Sequence, residues 1–229
     1  IVVCLAGACI RTGNFLNSEI LGLPSESQNG VVFARSVNDI LKFRFDGRVE
    51  KITFHKRDGQ YNKNGVPITI RMEYGDGVGV DEIVENNYFK SNVKSYLLGY
   101  QGIRDHIYEE QGKELDYLIF KNRNKYYAEI YTLGIPRHPA QLYEAFYCLL
   151  LFVSLLTLWF FKRGILNDGF IFSIFMIVLW SLRILDEILK ENQVDWEAEI
   201  PLNMGQWLSI PMIILGIAIF IKTFPRSKK

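Results

Sequence analysis

Three long apolar runs in the C-terminal part constrain this chain more than any other feature. Leu142 to Phe161 is almost continuously apolar and ends at Lys162-Arg163-Gly164. Gly169 to Leu189 forms a second run and Gly205 to Ile221 a third, followed by Lys222-Thr-Phe-Pro-Arg-Ser-Lys-Lys229. Each approaches the ~20 residues a helix needs to cross roughly 30 Å of hydrocarbon. Lipid offers no partner to backbone N–H and C=O groups, so a crossing segment has to satisfy them internally, as an α-helix does. Basic residues flanking a span favour the cytoplasmic side, which places Lys162-Arg163 and the C-terminal cluster inside. Counting back puts Asp195-Trp-Glu-Ala-Glu199 and Arg137-His138 outside.

The front of the chain repeats the theme in shortened form. Ile1-Val-Val-Cys-Leu-Ala-Gly-Ala-Cys-Ile10 is apolar, but supplies only about half of a span. Residues 1–16 are therefore expected to be the last part of a membrane helix of a longer protein. No positively charged leader precedes the run and no small-residue cleavage site follows it, so it does not read as a signal peptide.

Between these ends the character changes. Hydrophobic residues make up 49% of the chain, yet the mean hydropathy is only +0.07, which fits membrane segments joined to a water-soluble part. Phe43-Arg-Phe-Asp-Gly-Arg-Val-Glu-Lys-Ile-Thr-Phe54 places Asp46-Gly47 between alternating residues and predicts a hairpin. Val66 to Tyr74 alternates again and predicts a strand. The apolar spacing over Asp81–Leu98 is closer to helical. Tyr117–Phe120 and Tyr126–Tyr131 flank Lys121-Asn-Arg-Asn-Lys125 and predict a second hairpin. The expected fold is an α-helical polytopic membrane protein with a small α+β extracytoplasmic head domain inserted between transmembrane helices. Its parts are a helix end with its loop (1–22), the head (23–136) and three C-terminal spans (137–229).

Several function classes are excluded at this level. The net charge is +1, and no Lys/Arg tract is interleaved with aromatics, so there is no nucleic-acid footprint. Cys4, Cys9 and Cys148 lie in apolar stretches without zinc spacing and read as small buried hydrophobes. His55 and His106 stand apart in the head and read as solvent-facing or locally bonded. No carboxylate cluster suggests a metal.

The informative residues are the polar groups at the edges of the apolar runs. Within Ile10-Arg-Thr-Gly-Asn-Phe-Leu-Asn-Ser-Glu-Ile-Leu-Gly22 the chain passes abruptly to Arg11, Asn14, Asn17 and Glu19. An ordinary helix end accounts for this if Arg11 snorkels and an asparagine satisfies loose backbone groups. A site is the alternative, since charge near a bilayer is expensive to leave unpaired. Arg183 lies some 20 Å into its run at 1.5 Å per residue, with Asp186 and Glu187 at i+3 and i+4 on the same face. These three either form a self-contained ion pair, or Arg183 joins Arg11 to grip one anion. Arginine suits the second task because its planar fork donates two parallel bonds to phosphate oxygens. Arg137-His-Pro-Ala-Gln-Leu-Tyr-Glu144 opens the next span, with His138 either an interfacial histidine or part of the site. Asn203-Met-Gly-Gln-Trp-Leu-Ser-Ile-Pro211 opens the last, where Gln206 can donate to a headgroup and Trp207 can belong to an aromatic belt.

These stretches carry a family resemblance. Arg11 to Glu19 with Gly22 resembles the signature of bacterial prolipoprotein diacylglyceryl transferases. Arg137–Glu144, Leu182-Arg-Ile-Leu-Asp-Glu187 and Met204–Pro211 resemble three further stretches of that family, in the same order. The resemblance implies a multi-pass enzyme of the bacterial inner membrane, with its head on the periplasmic side and its C-terminus in the cytoplasm. Such an enzyme moves the diacylglyceryl group of phosphatidylglycerol to the lipobox cysteine in the signal peptide of a preprolipoprotein, without cofactor or metal. It makes Arg11 and Arg183 the headgroup-binding and catalytic arginines, with Asn14, Gly22 and Glu187 in support and Glu19, Asn17 and Tyr143 as motif positions. The sequence departs from the family at Ile10, where glycine is usual, and at Leu179, where tyrosine is common. It also lacks the His-Gly-Gly segment that precedes the signature in the family and holds a candidate base.

The implied chemistry is thioether formation. The nucleophile belongs to the substrate, so the protein has to favour thiolate over thiol and to stabilise charge on a departing phosphate. Arg11 and Arg183 suit the second role, and His138 is the boundary histidine available for the first. A non-catalytic membrane scaffold that binds lipid or peptide through its head is the competing class. A transporter component is disfavoured because no inverted repeat or paired broken helices occur.

Overall fold

The computed structural model describes residues 1–27, 29–45, 48–59, 63–75, 92–190 and 201–225. They form two compact units, Pro24–His138 and a helical unit of Ile1–Leu23 with Pro139–Lys229.

The Pro24–His138 unit is built on an antiparallel sheet. Strands β1 (Val49–Lys56), β2 (Val66–Tyr74) and β5 (Lys125–Gly134) pair in that order. The far edge of β5 is shared by β3 (Ile107–Tyr108), opposite Gly134 and Leu133, and β4 (Asp116–Asn122), opposite Tyr131 to Lys125. Val66, Ile68, Ile70, Met72 and Tyr74 alternate along β2 and are all buried. That period of two sends one face of the strand into the core. Helices α2 (Arg35–Arg44), α3 (Lys94–Gly99) and α4 (Gln101–Arg104) contribute Val37, Leu41, Leu97 and Ile103 to the same core.

The hairpin expected across Phe43–Phe54 is corrected on its first arm. Phe43 and Arg44 end α2 instead of forming a strand, and the Asp46-Gly47 turn lies outside the described residues. Val37, Leu41 and Phe45 recur every four residues and are buried, so a helical stripe prevails over the local alternation. The second arm is β1, whose partner is β2. The hairpin at Lys121–Lys125 forms as expected, with Arg123 in the left-handed region at φ 55°. Of the stretch expected to be helical, residues 81–91 lie outside the described residues and α3 takes up its end. His106 is buried here, not solvent-facing, and its backbone carbonyl accepts the Ile135 N–H.

The helical unit contains α1 (Val2–Asn17), α5 (Ala140–Lys162), α6 (Phe170–Glu187) and α7 (Met204–Thr223). Helices α1 and α5 pack together, as do α6 and α7, with α5 also touching α6. Cys4, Leu151 and Leu155 are buried against Phe175, Val178 and Leu179. Gly216 lets α7 approach α6, since a Cβ there would lie 2.9 Å from that of Met176. Cys4 and Cys148 are buried as expected, whereas Cys9 is exposed.

Helices α5 and α7, at 23 and 20 residues, are long and apolar enough to cross a membrane. Much of their surface is uncovered: Phe146, Leu150, Val153 and Phe160 on α5 and Ile214, Ile217 and Ile221 on α7 are exposed. Contiguous apolar surface on this scale is foreign to a water-soluble monomer and fits a lipid-facing protein. The 18 residues of α6 are equally apolar until Arg183, Asp186 and Glu187 in its last turns.

Candidate active site

The charged residues that interrupt the helical unit converge on one carboxylate. Glu144 lies in the second turn of α5, Arg11 in the second half of α1 and Arg183 near the end of α6. Arg11 Nε lies 2.9 Å from Glu144 Oε1, and Arg183 Nη1 donates to the same oxygen at 3.4 Å. The other oxygen, Oε2, accepts from Lys190 Nζ at 2.9 Å. Lys190 in turn lies 2.9 Å from Asp186 Oδ2 and 3.4 Å from Glu187 Oε2. Three cations and three carboxylates thus balance, and burial of an ion is tolerable only when it is paired in this way.

The backbone fixes these positions. Helix α1 stops at Ser18, whose left-handed φ of 57° turns the chain, and the Glu19 N–H closes the end on Asn14 O. The loop that follows is tied down twice. Gln141 Nε2 donates to Glu19 O at 2.6 Å, and Leu23 N donates to Leu189 O at 2.8 Å. Gly22, itself buried, bridges the Lys190 backbone. On the far side, Asn203 caps α7 by accepting from Gln206 N, while Gln206 Oε1 accepts the Asn203 N–H. A Cβ on Gly205 would lie 2.5 Å from Glu187 Cδ, so glycine makes room for that carboxylate.

A cavity of about 180 Å³ opens beside the cluster. Arg11, Glu144 and Arg183 form its charged wall, and Val3, Cys4, Tyr147, Leu179 and Trp180 belong to its remaining lining. Arg183 lies 5.8 Å from the Trp180 ring centroid, within cation–π range. Ile10 lines this same cavity alongside Leu179.

The structure sorts the expected site residues. Arg11 and Arg183 meet, and Glu187 joins them through Lys190. The ion pair within α6 is corrected: Arg183 goes to Glu144, and Asp186 and Glu187 go to Lys190. Lys190 lies just past the end of α6, where the chain turns its ammonium back onto both acids. Gln206 closes the α7 capping box and reaches Ile184 O at 3.5 Å. Asn14 is half-buried, whereas Asn17, Glu19 and Tyr143 are exposed. His138 belongs to the Pro24–His138 unit and is half-buried. Glu144 and Lys190 are the members that sequence reasoning missed. Lys190 was signalled by its spacing, i+4 from Asp186 and i+3 from Glu187. Among the described residues, no group of three or more His, Cys, Asp or Glu side chains is arranged to hold a metal ion.

Comparison with known proteins gives the family. The family model for prolipoprotein diacylglyceryl transferase matches residues 1–222. A phosphatidylglycerol–prolipoprotein diacylglyceryl transferase from Bacteroides fragilis is 49% identical over 82 residues, 36% of this chain and 30% of the relative. Relatives of the same name from Chloroherpeton thalassium and Tolumonas auensis are 35% identical over 99 residues and 37% identical over 87. Those alignments cover 41% and 38% of this chain, and 35% and 33% of the relatives. The chain thus spans about a third of the length of the curated relatives it matches. No solved structure gave a significant match. With a family match from the first residue into the last turn of α7, the chain belongs to the prolipoprotein diacylglyceryl transferase family.

Proposed function

We propose that this chain provides the lipid-binding and catalytic centre of an enzyme that transfers the diacylglyceryl group of phosphatidylglycerol to the lipobox cysteine of a preprolipoprotein. One observation carries the reading: Arg11 and Arg183, from separate helices, meet on a single oxygen at the charged wall of a largely apolar cavity. That pairing of surfaces suits an anionic headgroup attached to acyl chains, and the relatives' name supplies the donor and acceptor.

In the reaction, the substrate cysteine sulfur attacks the glycerol carbon that bears the phosphate ester. The carbon–sulfur bond forms as the carbon–oxygen bond breaks, and glycerol phosphate leaves with the bonding pair. The thiol proton passes to a base, for which His138 is the candidate on chemical grounds. Arg11 and Arg183 hold the phosphate and stabilise charge on the leaving oxygen. Asn14 and Gly22 support the end of α1, which carries Arg11, and the loop that follows it, and Glu187 supports Arg183 through the shared cluster. We place the three C-terminal helices across the bacterial inner membrane with the C-terminus cytoplasmic and the 23–136 head outside.

The test follows lipid from radiolabelled phosphatidylglycerol to a lipobox peptide in membranes. Wild type is expected to transfer, and Arg11→Ala and Arg183→Ala each to lose about 10²–10³-fold, the usual loss when one preorganised charge donor is removed. His138→Gln is expected to lower kcat with little change in KM. Full transfer by both arginine variants, or none by wild type, would favour a lipid-binding scaffold instead.

A further inference from the structure

The charged cluster assigns different duties to its three cations. Arg11 and Arg183 line the cavity, whereas Lys190 stands behind Glu144 and is not part of the cavity wall. The Lys190 side chain is 2% exposed, against 15% for Arg11 and 29% for Arg183. Glu144 divides its oxygens accordingly: Oε1 faces both arginines, and Oε2 faces Lys190.

A carboxylate and a phosphate diester each carry one negative charge and accept hydrogen bonds from a guanidinium in similar geometry. Glu144 Oε1 therefore occupies the place between the arginines where a diester oxygen would sit. Building on the transferase reading above, we propose that Glu144 is a resident stand-in for the lipid phosphate. It holds Arg11 and Arg183 in the lipid-free state and yields them when the headgroup enters. Lys190 is the positioning residue that retains the released carboxylate.

Three observations support this exchange. The Arg183 contact to Glu144 is the longest of the three at 3.4 Å, and Arg183 is the most exposed cation, so it is the first to be given up. The Lys190 contact is short and does not involve the oxygen being vacated. Lys190 is itself anchored, by the backbone bridge to Gly22 and by Asp186 and Glu187. A carboxylate released without such a partner would be a buried, uncompensated charge, which strongly opposes release.

Removing Lys190 should therefore tighten the grip of Glu144 on the arginines. Lys190→Met is expected to raise KM for phosphatidylglycerol about tenfold with a smaller change in kcat, the signature of a binding defect. Lys190→Arg should restore KM. Adding Glu144→Gln to Lys190→Met should also restore it, because the competitor charge is gone. Glu144→Gln alone should lower KM. A purely structural lysine would give the opposite pattern: less folded protein, no selective rise in KM and no rescue by Glu144→Gln.

A second readout, without turnover, titrates each variant with phosphatidylglycerol in mixed micelles, using phosphatidylcholine and soluble glycerol phosphate as controls. Weakened phosphatidylglycerol binding in Lys190→Met, recovered by Glu144→Gln, supports the exchange even where wild type shows no transfer, in which case only the transferase reading falls. Transfer by wild type with unchanged KM and binding across the Glu144 and Lys190 variants overturns the exchange and leaves the transferase reading standing. Equal binding of soluble glycerol phosphate would assign the site to free phosphate esters and overturn the lipid-specific form.

Discussion

Replacing Gly205 by alanine sets two effects of opposite sign against each other. Gly205 lies in the first turn of α7, where alanine is intrinsically favoured over glycine by up to about 1 kcal/mol. A Cβ there, however, would lie 2.5 Å from Glu187 Cδ and 2.6 and 2.7 Å from its oxygens. Comfortable heavy-atom contacts begin near 3.5 Å, so about 1 Å must be found. The far end of an exposed glutamate would swing away cheaply. Glu187 is only 7% exposed, and its carboxylate is engaged by Lys190. Either that ion pair lengthens or the start of α7 retreats and strains the Asn203–Gln206 capping box. Overpacking of this kind costs about 1–3 kcal/mol, which outweighs the gain in helix preference. The expected result is a net loss of roughly 1–2 kcal/mol, or a fall in Tm of about 2–8 °C for a chain of this length. Thermal unfolding in detergent at one fixed scan rate measures it. In a Glu187→Ala background the clash is absent, so the same Gly205→Ala change should become neutral or stabilising. A rise in Tm in the wild-type background, or an equal fall in both, would refute the steric account.

Two further predictions concern the Pro24–His138 unit. Arg123 takes a left-handed φ of 55° in the two-residue connection between β4 and β5. Asparagine tolerates that region better, so Arg123→Asn should stabilise by up to about 1 kcal/mol, read as a higher urea midpoint at unchanged slope. Burial alone would raise the Glu129 carboxyl, but hydrogen bonds from Arg71 and Tyr131 outweigh it and hold the group below its usual value of 4.5. The stability this confers is present above that pH and is lost as pH falls through the lower folded value. Glu129→Gln should therefore flatten the acid-side decline of Tm below about pH 4.5, and an unchanged slope would count against the pairing.

The parts of this protein legible in the sequence are those governed by local periodicity. The alternation in Val66–Tyr74 and the paired runs around Lys121–Lys125 define β2 and the β4–β5 hairpin, because a half-buried strand needs that period. Phe43–Phe54 misled because its alternation overlaps a longer helical stripe at Val37, Leu41 and Phe45, and burial of that stripe decides the outcome. The site was half legible. Arg11 and Arg183 stand out because a guanidinium amid apolar residues demands a partner. Their actual partner, Glu144, is set by how α1, α5 and α6 dock, and no spacing along one helix reveals it. Gln206 shows the reverse case. Its place beside other site motifs suggested a headgroup donor, whereas Asn203 three residues earlier makes it half of a capping box.

The choice of cation at each position follows from the partners it faces. Lys190 meets carboxylate oxygens from three side chains converging on one ammonium. A compact point charge with rotatable donors serves that geometry, and the turn that closes α6 brings Asp186 and Glu187 to it. In the proposed exchange, Arg11 and Arg183 instead face a cavity whose occupant changes. Each guanidinium keeps its charge throughout and carries five donors in a fixed plane, so it can exchange one oxygen for another without losing its own hydrogen bonding. Exchange is easiest when the cluster is neutral beforehand, since no buried charge then has to be created to let a ligand in. Three cations on three carboxylates meet that condition, and only the carboxylate shared between the arginines and Lys190 can move without leaving another group unpaired.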